Sequence, residues 1–208
     1  MPSTHDCLLD AAEALFVEKG YAATSVRSIA ARADANLAAT HYHFGSKQGL
    51  FAAVIHRRIT PINQARLIAL DALEVDPASM DIQSVLEAFL LPVVNSDEIE
   101  HLPGLIGRIY SEPQSVTRPI MEKEFRAVAS RFVSALDRLL PELSITEVRW
   151  RFHFLVGGML QMLSMPMPLG AEIAAAHPRE KIARLINYSI SGFSAPEPSL
   201  GDTLGDTL

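Results

Sequence analysis

The sequence predicts an all-α protein in which a small N-terminal unit of three short helices precedes a larger bundle of longer ones. Three observations carry that expectation. Apolar residues recur at helical spacing along most of the 208 residues, and no run alternates with period two in β-branched residues as a half-buried strand would. Residues that cap or stop helices cut the first quarter of the chain into short pieces. The composition, 49% hydrophobic and 20% charged, is that of a chain able to bury a core.

In chain order, Leu8, Ala12, Leu15 and Phe16 line one face of a first helix that Gly20 should end. Thr24 or Ser25 can cap a second, in which Val26, Ile29, Ala30 and Ala33 form the apolar stripe. Asp34, Ala35 and Asn36 make a tight turn, Asn36 caps a third helix running through Tyr42, and Gly45 stops it. Ser46 caps a fourth helix that starts at Lys47, turns Leu50, Phe51, Val54 and Ile55 inward and should kink at Pro61. Further stripes follow at Ile82/Val85/Leu86/Phe89, Met121/Phe125/Val128/Phe132/Leu136, Val148/Phe152/Leu155/Met159 and Ile182/Leu185/Ile186/Phe193, the helices of a bundle. The expected division is 1–52 for the N-terminal unit, 53–193 for the bundle and 194–208 for a disordered tail ending in a repeated Gly-Asp-Thr-Leu.

Composition also excludes function classes. The lone Cys7 permits no intramolecular disulfide and no cysteine-based zinc site, and the N-terminus lacks a secretory signal, so a reducing cytoplasm is expected. The apolar stretch from Phe152 to Ala171 is broken by His153, Gln161, Ser164, Pro166 and Pro168, which reads as a buried helix and a loop rather than a membrane span. A net charge of −6 disfavours nucleic acid only on the surface of it. Residues 1–60 hold six Lys/Arg against five Asp/Glu, and the remainder twelve against nineteen, so the acid lies in the rear.

Two short helices across a tight turn, backed by a third, match a helix-turn-helix. The residue choices narrow the reading. Arg27 and Lys47 each fall in the first turn of a helix, where a cation opposes the macrodipole at a cost of about 0.3–1 kcal/mol. Either alone is equally an exposed surface cation. Together they make sense if an anion faces those helix ends. The third helix, Leu37 to Tyr42, begins with small residues that let its backbone enter a major groove. Asn36 and Ala38 sit at its start, Ala39 offers a methyl to thymine, and Thr40, His41, Tyr42 and His43 can bond phosphates. Taken singly, Tyr42 also fits a core aromatic and either histidine a solvated one.

The stretch Thr24-Ser-Val-Arg-Ser-Ile-Ala-Ala-Arg-Ala33, the turn, then Thr40-His-Tyr-His-Phe-Gly-Ser-Lys47 and Leu50-Phe51 resembles the TetR family signature over residues 6–55. The resemblance implies a DNA-binding regulator in which Thr24, Ser25, Arg27, Ala39, His41, Tyr42, His43 and Lys47 take the family's DNA-contacting positions. Two positions depart from the pattern. Asp34 stands where glycine is usual, which requires it to adopt the left-handed region. His41 stands where tyrosine is frequent, so imidazole replaces a phenol at the phosphate. Further on, His56–Asn63, Leu70–Glu74 and Arg108–Pro113 resemble the PsrA-like branch, which implies a fatty acid or acyl thioester as effector.

Phe89, Val93, Leu105, Ile109, Phe125, Met159 and Met162 supply the bulk to line an apolar effector cavity, with Arg108 or Arg126 to meet an acidic headgroup. Each is individually explained by core packing or surface pairing. The helix near 146–165 is apolar nearly all round, so Trp150, Phe154, Gly157 and Gly158, with Ile186 and Ile190 of the last helix, are the expected homodimer interface. The partners expected are therefore operator DNA as a palindrome, a small effector and a second copy, with no membrane and no cofactor. An enzyme is the main rival, but the chain has no Gly-rich phosphate loop, no G-x-S-x-G elbow and no histidine pair four apart. A dimerising scaffold without DNA binding is the other alternative.

Overall fold

A computed structural model describes residues 3–96, 105, 107, 109, 112–164 and 171–198, and every described regular element is helical. The N-terminal unit is built from α1 (Thr4–Ala23), α2 (Val26–Arg32) and α3 (Leu37–Phe44); α1 and α3 pack on α4 (Lys47–Val75), and α2 packs on α1 and α3. After a 3-10 turn at Pro77–Ser79 come α5 (Ile82–Asn95), α6 (Gln114–Leu139), α7 (Ile145–Ser164), the short α8 (Ala171–Ala175) and α9 (Pro178–Ser194). In the bundle, α5 contacts α4, α6 and α9, while α7 contacts α6 and α9.

Side-chain caps start these helices. Ser3, Ser25, Asn36, Ser46 and Asp81 each accept a backbone N–H from the first turn of the helix that follows. At α2 the cap is reciprocal: the Ser28 hydroxyl accepts from the Ser25 N–H at 3.1 Å while the Ser25 hydroxyl accepts from the Ser28 N–H at 3.0 Å. Asp34 adopts φ 48° in the α2–α3 turn, and Gly45 adopts φ 70° after α3. α3 runs two residues past Tyr42 to Phe44 before that glycine ends it.

Three sequence expectations need correction. α1 does not finish at Gly20, whose φ of 82° breaks the helical path but is followed by one further turn to Ala23. The reason is local: the Thr24 hydroxyl donates to the Gly20 carbonyl at 2.7 Å and folds that turn back on the helix. The 52/53 division falls inside α4, which continues through Pro61 to Val75 as one assigned helix. Residues 194–197 are tied down rather than loose. Ser194 ends α9, the Arg151 guanidinium donates to the carbonyls of Gly192, Phe193, Ala195 and Pro196, and Glu197 accepts from the N–H and hydroxyl of Ser144. Residues 199–208 lie outside the described set.

The two units share one apolar core along α4. At the N-terminal end, Phe16, Tyr21 and Phe51 cluster with ring centroids 4.9–5.8 Å apart. In the bundle, Phe89 meets Phe132 and Phe152 edge-on at 5.1 and 4.9 Å, joining α5 to α6 and α7. An ionic clamp adds direction: Arg57 reaches Asp10 and Glu13, and Arg58 grips both oxygens of Glu13, fixing α1 along α4.

Candidate functional site

The N-terminal unit presents α3 outward. Its inward positions are set by Thr40, which is buried, and its outer face carries Ala38, His41 and Tyr42, with Tyr42 86% exposed. Ala39 is half-buried and His43 exposed. His5 of α1 stacks on Phe44 at 4.9 Å and meets His43 edge-on at 5.6 Å, so the end of α3 leans on the start of α1. The His41 Nδ1 lies 3.2 Å from the Gly45 carbonyl, which orients the ring at the helix end. Beside this face, Arg27 and Ser25 are exposed at the start of α2, and Arg27 makes no ion pair among the described residues.

Four candidates are wholly or partly committed within the unit. Thr24 is buried, with its hydroxyl committed inward to Gly20 and only 3.1 Å from the Leu15 carbonyl, so it shapes the unit and does not face DNA. Thr40 is buried on the inner side of α3, where its hydroxyl has no hydrogen-bond partner among the described residues. Asn36 is exposed but its side-chain oxygen is spent on the Ala38 N–H at 2.9 Å, leaving its amide nitrogen as the group that can reach outward. Lys47 is half-buried: its ammonium lies 4.3 Å above the Tyr21 ring and donates to the Ala22 carbonyl. Burial pushes that ammonium below the usual lysine range, and the Glu112 carboxylate partly offsets this.

Glu112, within the Arg108–Pro113 stretch, was given no role by the sequence. Its carboxylate accepts the Tyr21 N–H at 2.6 Å, and its own N–H bonds the carbonyl of Ile109, so it joins the bundle to the N-terminal unit.

In the bundle, Val93, Ile109, Phe125 and Met159 line a cavity of about 30 Å³ together with Ile59, Ile62 and Met121. Phe89 and Leu105 are buried without bordering it, and Met162 is partly buried. Arg108 lies outside the described residues. Arg126 is a surface residue paired with Glu122 one turn away. The charged group at the cavity is instead Arg66 of α4, 2% exposed. The sequence carried a signal for it, because Arg66 falls on the stripe Ile59, Ile62, Leu70 that α4 buries.

The outer face of α7 carries Trp150 and Phe154, 54% and 66% exposed, with rings stacked at 5.9 Å, and exposed Gly157. On α9, Tyr188 is 79% exposed. Two expected interface residues belong to the interior instead. Ile186 is core, and a Cβ on Gly158 would stand 3.1 Å from Leu185, so that glycine admits α9 against α7 within the chain. Ile190 is partly buried against the same core.

Comparison with known proteins agrees with this architecture. Residues 8–54 match the model of bacterial regulatory proteins of the tetR family, and residues 83–192 match that of the tetracyclin repressor-like C-terminal domain. The chain is 24% identical over 135 residues to the Transposon Tn10 TetC protein of Escherichia coli, spanning 63% of this chain and 66% of that protein. Over 48 residues it is 50% identical to an HTH-type transcriptional repressor of Mycobacterium tuberculosis, 23% of this chain and 26% of the relative. These alignments span less than two thirds of the relatives' own lengths. In fold it is similar to NalD, the secondary repressor of the MexAB-OprM multidrug efflux pump in Pseudomonas aeruginosa, with a TM-score of 0.65 at 21% identity over 91% of this chain and 96% of that one. No helix among the described residues is long and apolar enough to cross a membrane. With one family model over more than half its length and another over its helix-turn-helix, the chain belongs to the TetR family of transcriptional regulators, DNA-binding proteins rather than enzymes.

Proposed function

We propose that the protein is a cytoplasmic, ligand-responsive repressor: a homodimer that holds a palindromic operator through α3 and leaves it when a small apolar or amphipathic effector enters the bundle. The observation that carries the reading is the outward face of α3. Ala38, His41 and Tyr42 stand exposed on a helix anchored from behind, with the exposed cation Arg27 on the neighbouring helix end. Small residues admit the backbone to a major groove, and the polar ones reach phosphate and base edges. The exposed apolar residues Trp150, Phe154 and Tyr188 support pairing of two copies. Two-fold symmetry then requires half-sites roughly one helical turn, about 34–36 Å, apart.

The apolar cavity beside α4 supports an effector with an apolar body, and the PsrA-like resemblance of His56–Asn63 supports an acyl chain. Release requires that the effector bind the splayed dimer more tightly than the DNA-ready one. A gel shift on DNA flanking the protein's own gene tests the interface. The wild type should give a salt-sensitive complex, and Arg27→Ala with Tyr42→Ala should weaken it by about tenfold or more with the helical circular dichroism unchanged. An undiminished shift from the double variant would place the interface elsewhere.

A further inference from the structure

Arg66 is a buried guanidinium without a carboxylate partner among the described residues. Its Nε donates to the Phe89 carbonyl at 2.8 Å, one Nη donates to the Asn63 side-chain oxygen at 3.1 Å, and the other meets only the thioether of Met159 at 3.6 Å. The guanidinium plane lies 4.0 Å from the Phe89 ring centroid. A guanidinium carries five N–H donors, and a thioether is a weak acceptor, so the Nη end turned to the cavity keeps donor capacity that the described residues do not fill. Burial lowers this group to about 9, which leaves it protonated at neutral pH.

The rest of the cavity wall is apolar, among it Val93, Ile109, Met121, Phe125 and Met159. Its volume of about 30 Å³ is small beside the roughly 300–1,000 Å³ of a ligand pocket. A larger occupant must move side chains, and Met121 and Met159 are the adaptable ones.

We propose that Arg66 anchors the effector, and that the effector is a free carboxylic acid with an apolar body, whose carboxylate takes the Nη donors now facing Met159. This rests on the reading of the bundle as an effector domain and names the chemistry of its ligand. A single buried cation among apolar walls matches one carboxylate. It does not match an acyl thioester of coenzyme A, whose phosphates would find no second cation in the described wall. The anchor also has a route to the DNA end, because α4 carries Arg66 and begins at Lys47.

The test is calorimetric titration of the full chain with hexanoate, decanoate and benzoate and with hexanol, decanol and benzyl alcohol. At least one acid should bind about tenfold tighter than its alcohol, the ratio worth about 1.4 kcal/mol. Arg66→Met, which keeps length and removes charge, should bind acid and alcohol equally. Equal binding by the wild type, or an acid preference that survives in Arg66→Met, overturns the anchor and leaves the effector domain standing. Failure of every acid and alcohol to bind a chain that still shifts operator DNA overturns both. Should Arg66→Met fail to fold, the wild-type ratio alone decides.

Discussion

Thr24 and Arg27 stand three positions apart in the family signature and do opposite work. Thr24 faces the interior and closes the last turn of α1, whereas Arg27 faces solvent at the first turn of α2. A motif read as letters does not separate the two, since both orientations leave the same residue in the row. Burial separates them. Thr24→Val keeps the shape and strands buried carbonyl oxygen at Gly20 and Leu15, so it should cost about 1–3 kcal/mol in urea unfolding. An unchanged unfolding midpoint would return Thr24 to the DNA face. Arg66 was missed for a related reason: arginine is rarely buried alone, and a stripe of apolar positions is normally scored by what is apolar.

At the scale of the element, α4 decides most of the geometry. Its 29 residues span about 44 Å, enough to begin beneath the helix-turn-helix and run along the bundle to an exposed end at Val75. Its cap, start and inward residues were legible because Ser46 and the Leu50/Phe51/Val54/Ile55 spacing are local signals. Its ionic partners were not, since Glu13 meets Arg58 from 45 positions away in sequence. The far end of α4 is pinned to α6 by Glu74, which accepts from Arg138 at 2.6 Å and Arg131 at 2.7 Å. The Arg138 hydrogen bond foremost, with Arg131 beside it, holds the Glu74 carboxyl below the usual carboxylate range. A depressed carboxyl stabilises the fold fully above its unfolded value, and that contribution is lost as pH falls through the native one. Glu74→Gln should therefore be less stable than the wild type near neutral pH, with the difference closing in acid below about pH 4. A gap that persists in acid would assign the loss to packing.

Over the whole molecule, the helical class and the order of helices followed from periodicity and caps, while the partition of α7 and α9 between core and outer surface did not. Periodicity marks which residues are apolar, and only the neighbouring helix decides which of them it covers. Leu185 covers Gly158, and Ile186 is buried within the chain, whereas Trp150, Phe154 and Tyr188 are left uncovered. Phe154→Glu should shift sedimentation from dimer to monomer and weaken operator binding, because each α3 then binds a half-site alone. A dimer that survives this change would place the interface off α7.

The bond between Glu112 and the Tyr21 N–H spans 91 positions of sequence, yet Ile109 at the cavity wall is only one backbone hydrogen bond upstream of that carboxylate. The ring of the same tyrosine lies beneath the Lys47 ammonium. The cavity wall is thus joined through Glu112 to the turn that ends α1. The bundle is tied to the N-terminal unit at Tyr21 as well as along α4.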